Sequence, residues 1–143
     1  MSGAFSKSMA RNIFFGGTAF FFFLFLALSF DTIQQYPKRD MRQNITPQVV
    51  AGKHIWETRN CIGCHTLMGE GAYFAPELGN VVARLGSKEA VKAFIQSRPV
   101  AGIPGRRSMP QFNLTDKELD EIAAFLEHVN TINSANWPPN IQG

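Results

Sequence analysis

The sequence predicts an all-α protein, in which a single N-terminal transmembrane helix is followed by a small helical domain with long loops. Three observations carry that prediction. An uncharged run of 18 residues, Ile13 to Phe30, lies near the N-terminus. Two helix-start signals, Thr46-Pro47 and Thr115-Asp-Lys-Glu118, bracket most of the remainder. No strand-like alternation of useful length occurs anywhere between them.

The apolar run reads IFFGGTAFFFFLFLALSF and holds eight of the thirteen phenylalanines. As a helix it spans roughly 27 Å, close to the about 30 Å of a bilayer core. Lys7 and Arg11 precede it and can snorkel to the phosphate level, and Asp31 closes the far end. A cleavable signal peptide is the rival reading, because Ala27-Leu28-Ser29 spaces small residues as a cleavage site does. Its apolar core would exceed the usual length of about 7 to 15 residues, which favours an uncleaved anchor. The chain therefore divides into an N-terminal segment 1–12, an anchor 13–30, a connector 31–45 and a folded domain 46–143. The connector DTIQQYPKRDMRQNI is polar, charged and interrupted by Pro37.

Charge follows the same division. Residues 1–45 hold five basic and two acidic groups, and residues 46–143 hold nine of each. The folded part is neutral, so nucleic-acid binding has no electrostatic support. Two basic residues before the anchor and three just after it leave the positive-inside rule silent on orientation.

Thr46 as N-cap and Pro47 at the first helical position predict a helix carrying Val49, Val50, Gly52, Lys53 and Trp56, ending by Asn60. Lys88 to Ser97 predicts a shorter amphipathic helix through Val91, Phe94 and Ile95. Arg98 to Asn113, with Pro99, Gly102, Pro104, Gly105 and Pro110, predicts a loop. The capping box Thr115–Glu118, with Leu114 placed to staple onto Leu119, opens a last helix. On it Leu119, Ile122, Ala123, Leu126 and Val129 share one face, with Phe125 at the margin. Gly52 and Trp56 predict a close crossing of the first helix over Ile122 and Phe125 on the last, glycine removing a side chain where the axes meet.

The chemistry sits in Cys61-Ile-Gly-Cys64-His65, which contains both cysteines of the chain. Cysteines at i and i+3 bring two sulfurs to one side of a single turn, and the adjacent histidine can offer a ring nitrogen to a metal held there. That arrangement tethers haem in c-type cytochromes, through two thioethers and a proximal histidine. A thioredoxin-like dithiol belongs in a βαβ unit, and none is predicted. A structural zinc needs four ligands, and His54 and His128 complete no common zinc spacing; both read better as packed or solvated helix residues. Of the five methionines, Met1 and Met9 precede the anchor, Met41 lies in the connector, and Met68 is too near His65 to reach the opposite haem face. Met109, in the Pro/Gly-rich loop, is left as the distal ligand, and His/Met ligation suits electron transfer. A haem would also supply core that a domain of this size and loop content lacks. Arg106 and Arg107 are either solvated loop charges or partners for haem propionates.

The segments CIGCHTLMGEGAYFAPELGNV, PGRRSMPQF and NWPPN, with MARNIFFGG leading a single hydrophobic helix, closely resemble the cytochrome c subunit of bacterial nitric oxide reductase, over essentially the whole chain. CxxCH is shared by all ordinary c-type cytochromes, so the discrimination comes from GEGAYFAPELGN and from the anchor-plus-domain layout. The resemblance implies a class I-like cytochrome c domain with one covalent haem c, held by Cys61 and Cys64 and ligated by His65 and Met109. It implies no catalysis on this chain. Electrons from a soluble cytochrome c or a cupredoxin would pass through the haem to a large multihelix subunit with b-type haems and a non-haem iron, which reduces two NO to N2O. It further implies a calcium ion at the subunit junction, with contributions from Gly71 and Tyr73. Covalent haem attachment in bacteria takes place outside the cytoplasmic membrane, so residues 1–12 are expected in the cytoplasm and residues 46–143 in the periplasm. The alternatives are a free-standing anchored cytochrome c that shuttles electrons between respiratory complexes, and a gas sensor or peroxidase in which Met109 is off the iron.

Overall fold

A computed structural model describes residues 5–138. Residues 1–4, and the end of the NWPPN motif with the C-terminal residues that follow it, lie outside the described residues. The chain forms two compact units, one up to Lys38 and the other from Arg39 onward.

The first unit is helix α1 (Lys7–Arg39), which has no buried residue. It is long and apolar enough to cross a membrane, with a mean hydropathy of 2.2 in its most apolar stretch. Phenylalanine rings pair edge-on along it, Phe14 with Phe15, Phe20 with Phe21 and Phe22 with Phe23, at centroid distances of 5.5, 5.2 and 5.8 Å. The helix overruns the expected anchor at both ends and takes in the first nine residues of the predicted connector. Nothing in Asp31–Tyr36 breaks a helix, and Pro37 falls within the last turn, where little helix remains for it to disrupt. An irregular connector therefore begins only at Asp40.

The second unit is built on α2 (Pro47–Thr58) and α5 (Asp116–Thr131), each started as the sequence predicts. The Thr46 hydroxyl accepts from the Val49 amide at 3.3 Å, with Pro47 at the first helical position. At α5 the Thr115 hydroxyl accepts from the Glu118 amide at 3.3 Å while Glu118 accepts from the Thr115 amide at 2.8 Å. Glu118 also binds Arg59 at 3.0 Å, tying the start of α5 to the end of α2. Hydrogen bonds from Thr115 and Arg59 lower its pKa to about 2.

The α2–α5 crossing depends on Gly52. A Cβ there would sit 2.0 Å from the Glu121 carbonyl oxygen and 2.7 Å from Phe125 Cβ, so only glycine permits this approach. Trp56 and Phe125 pack beside it with ring centroids 6.2 Å apart, and Phe125 is buried rather than marginal. Two further helices complete the layer. Helix α3 (Val81–Leu85) was not expected from the sequence, and α4 (Lys88–Gln96), capped by Ser87, buries Val91 and Ile95. The core joins residues of all four helices, and Cys61, Leu67 and Met109 pack against it.

One element escaped the all-helical expectation. Strands β1 (Thr66–Leu67) and β2 (Glu70–Gly71) form a minimal antiparallel hairpin, Thr66 opposite Gly71. Its turn residues Met68 and Gly69 have φ of 54° and 84°, the left-handed pair that a two-residue hairpin requires.

Candidate functional site

Cys61–Gly63 forms a single 3₁₀ turn after α2, entered through Asn60 at φ 54° and closed by Cys64 and His65 amides that both donate to the Cys61 carbonyl. The two thiols are not bonded to each other. Cys61 is turned toward the core, where burial raises its pKa, and Cys64 is exposed.

The segment Gly69–Asn80 wraps this turn. The Ala72, Ala75 and Leu78 amides donate to the carbonyls of Ile62, Cys64 and Thr66 at 3.0, 2.9 and 3.0 Å. Gly71 is needed for the wrap, since a Cβ on it would lie 2.3 Å from the His65 carbonyl oxygen, and its φ is 126°. The Pro76 carbonyl then lies 2.8 Å from His65 Nδ1. A carbonyl can only accept, so the proton is on Nδ1 and the Nε2 lone pair is left free to bind a metal. Burial lowers the His65 pKa and Arg84 adds to it, against the opposing effects of the Pro76 bond and Glu77, which keeps the ring neutral.

Glu77 holds the wrapping segment in place. Its side chain is buried, and its carboxylate accepts from the amides of Met68, Gly69 and Gly79 at 2.7, 3.0 and 2.8 Å. Burial alone would raise its pKa. The bonds from Gly69, Gly79, Thr66 and Met68 outweigh that and lower it. Neither Glu77 nor Pro76 was singled out by sequence, because their partners lie eight to eleven residues upstream and no local pattern marks them.

The loop from Arg98 to Asn113 is irregular, as predicted, and is held by side chains. Gln111 donates to the carbonyls of Gln96 and Arg98 at 2.8 and 3.1 Å, and Ser108 accepts from the Ile103 amide at 2.9 Å. This brings Met109 to the same cavity as Cys64 and His65. The cavity has a volume of ≈ 550 Å³, within the range of about 300–1,000 Å³ usual for cofactor sites. Phe74, Pro76, Phe94 and Ile103 give it apolar walls. A histidine with a free Nε2, a thioether, and two cysteines at the tether turn form a donor set that fits an iron porphyrin.

The other sequence candidates separate from this site. His54 lies on α2, and His128 is buried on α5 with Nδ1 unpartnered. Among the described residues no three His, Cys, Asp or Glu side chains gather as cation ligands. Gly71 and Tyr73 lie on the exposed outer side of the wrap, with Tyr73 81% exposed and its hydroxyl donating to the Gly69 carbonyl.

A capped helical pair crossing at a glycine, with a CxxCH turn and a methionine loop closing one apolar cavity, defines a c-type cytochrome domain, the class that carries covalently attached haem c. The cytochrome c family model matches residues 49–130. Over the full length of both chains, the protein is 52% identical to the cytochrome c subunit of nitric oxide reductase from Stutzerimonas stutzeri, 50% to that of Paracoccus denitrificans and 44% to that of Halomonas halodenitrificans. The chain belongs to this family of nitric oxide reductase cytochrome c subunits, NorC. It is a haem-containing electron-transfer subunit, and α1 is consistent with a membrane anchor.

Proposed function

We propose that Cys61 and Cys64 carry the haem through thioethers and that His65 Nε2 and the Met109 sulfur take its two axial positions. The observation that carries this is the cavity shared by His65 and Met109, with His65 held by Pro76 so that only Nε2 is free. The bound haem supplies one-electron redox chemistry. The chain's own residues fix its axial bonds, cover its apolar faces and exclude water from the iron. With both axial positions filled by the protein, the site transfers electrons and does not bind substrate.

Electrons would enter from a soluble cytochrome c or cupredoxin on the periplasmic side and leave to a multihelix catalytic subunit with b-type haems and a non-haem iron, where two NO become N2O and water. Exposed Tyr73 and Phe74 support lasting contact with that subunit. A calcium ion at the junction would draw on Gly71 and Tyr73. Calcium takes about six to eight oxygen ligands, so the catalytic subunit would have to supply most of them.

The test uses the full chain extracted in detergent. Haem absorption should survive denaturation, the reduced protein should resist CO, and the catalytic subunit's b-type haems should copurify. Met109→Ala should open the iron to CO. A CO-insensitive Met109→Ala protein would remove Met109 from the iron, and a chain that leaves the membrane alone would favour the free-standing shuttle.

A further inference from the structure

We propose that Arg98, Arg106 and Arg107, with the exposed rings and side chains of Phe74, Phe94 and Val100, form the landing surface for an acidic soluble protein that carries a one-electron centre. The proposal rests on the reading of this chain as the point of electron entry, and it identifies the face used.

Charge is distributed unevenly over the folded part. Residues 46–143 hold nine basic and nine acidic groups, yet residues 98–113 hold three arginines and no acid. The rest of that part is left with six basic and nine acidic groups, so the loop stands at +3 against −3 everywhere else. Ion pairing does not cancel the contrast. Lys88, Lys92 and Lys117 on α4 and α5 meet Glu127, Asp120 and Glu121, while none of the ion pairs among the described residues includes Arg98, Arg106 or Arg107. Two of these arginines instead lie flat on the apolar rim, Arg98 over Phe94 at 3.9 Å and Arg107 over Phe74 at 4.6 Å. All three line the cavity that His65 and Met109 share.

The resulting surface is small, apolar at its centre and cationic at its edge. Val100 is 81% exposed and Phe74 64%. Permanent interfaces are depleted of charge at their cores, whereas brief redox encounters use small surfaces and electrostatic steering. The other exposed apolar strip, with Ile62, Met68, Tyr73 and Trp137 near the β1–β2 turn, carries little charge and suits a lasting partner. At the arginine surface one electron passes from the reduced carrier to the ferric haem. The carrier is oxidised, the haem is reduced, and no bond or proton is exchanged.

The test is rapid mixing of the detergent-solubilised holo-complex with a reduced acidic cupredoxin and, separately, a reduced basic c-type cytochrome, following haem c absorption. Salt is raised from about 0.01 M to about 1 M, which shortens screening from roughly 30 to 3 Å. The acidic carrier should react fastest at low salt and slow as salt rises; the basic carrier should show the opposite trend. Arg106→Gln should slow the acidic carrier about 3- to 10-fold at low salt, and replacing all three arginines by Gln should approach 100-fold, within the range of electrostatic steering. Binding of the oxidised acidic carrier should weaken in parallel. Midpoint potential and covalent haem should be unchanged, and the differences should vanish at high salt. Salt-independent rates would overturn the proposal. So would rate losses explained by a shifted potential, which would assign the arginines to the haem propionates, or protection of residues 98–109 from hydrogen exchange by the catalytic subunit. If a variant fails to acquire haem, the wild-type salt response to the two carriers decides alone. Absence of covalent haem from the wild type would instead sink the electron-entry reading.

Discussion

Gly52→Ala is the sharpest test of how the domain is held together. The added Cβ would sit 2.0 Å from the Glu121 carbonyl oxygen, 2.6 Å from the Glu121 carbonyl carbon and 2.7 Å from Phe125 Cβ, where ordinary contact begins at 3.4 Å. Two of these atoms are backbone of α5, so no side-chain rotation relieves the clash and the helices must part by more than 1 Å at their crossing. Overpacking of this kind costs about 1–3 kcal/mol, and the rigid neighbours place it at the upper end. Alanine returns about 1 kcal/mol of helix propensity, leaving a net loss of about 2 kcal/mol. For a domain of this size that corresponds to a melting point lower by about 10 °C. Thermal unfolding of the haem-loaded chain, followed by haem absorption and far-ultraviolet circular dichroism, measures it. Gly16→Ala in α1 is the control, since a Cβ there meets nothing within 4 Å. A Gly52→Ala protein that melts at or above the wild-type temperature would refute the close-crossing account.

Three further outcomes are expected. Glu77→Ala strips three backbone amides of their carboxylate, and at about 1–3 kcal/mol for each unsatisfied group the loss should reach about 3 kcal/mol or more. Hydrogen exchange at Met68, Gly69 and Gly79 should accelerate in that variant, and unchanged protection would remove Glu77 as the clamp. Glu118 titrates near 2 in the folded chain against an ordinary 4.5, so its contribution is complete above the ordinary value and is lost as pH falls through about 2. The melting difference between wild type and Glu118→Gln should therefore stay constant above about pH 5 and close toward pH 2; a difference that persists at pH 2 would contradict the assignment. Thr115→Ala should cost about 0.5–2 kcal/mol in thermal unfolding through the lost cap, and a neutral result would place the start of α5 under tertiary control.

What could be read from sequence was whatever a few adjacent residues determine. Thr46-Pro47 and the Thr115 box start α2 and α5 because caps are local, and Gly52 marked the crossing because a mid-helix glycine needs a packing reason. Met109 came from eliminating the other methionines, and it does line one cavity with His65. The helical extension through Pro37 was missed because a proline in a last turn breaks little. The hairpin was missed because strands of two residues have no periodicity. The tail GEGAYFAPELGN read only as a loop with aromatic anchors, since its work is done by backbone amides that reach back to the carbonyls of Ile62, Cys64 and Thr66. Its glycine at 71 and glutamate at 77 acquire their reasons only when the CxxCH turn is brought against them.

The central claim is that electrons reach the catalytic subunit through the haem on this chain. Rapid mixing of the oxidised holo-complex with a reduced soluble carrier, watched separately at the c-type and b-type haem absorptions, tests it most directly. The account predicts that the c-type signal reduces first, that the b-type signal follows it, and that replacing both Cys61 and Cys64 by alanine abolishes carrier-driven reduction of the b-type haems. Reduction of the b-type haems ahead of the c-type haem, or at an unchanged rate without it, would contradict the account.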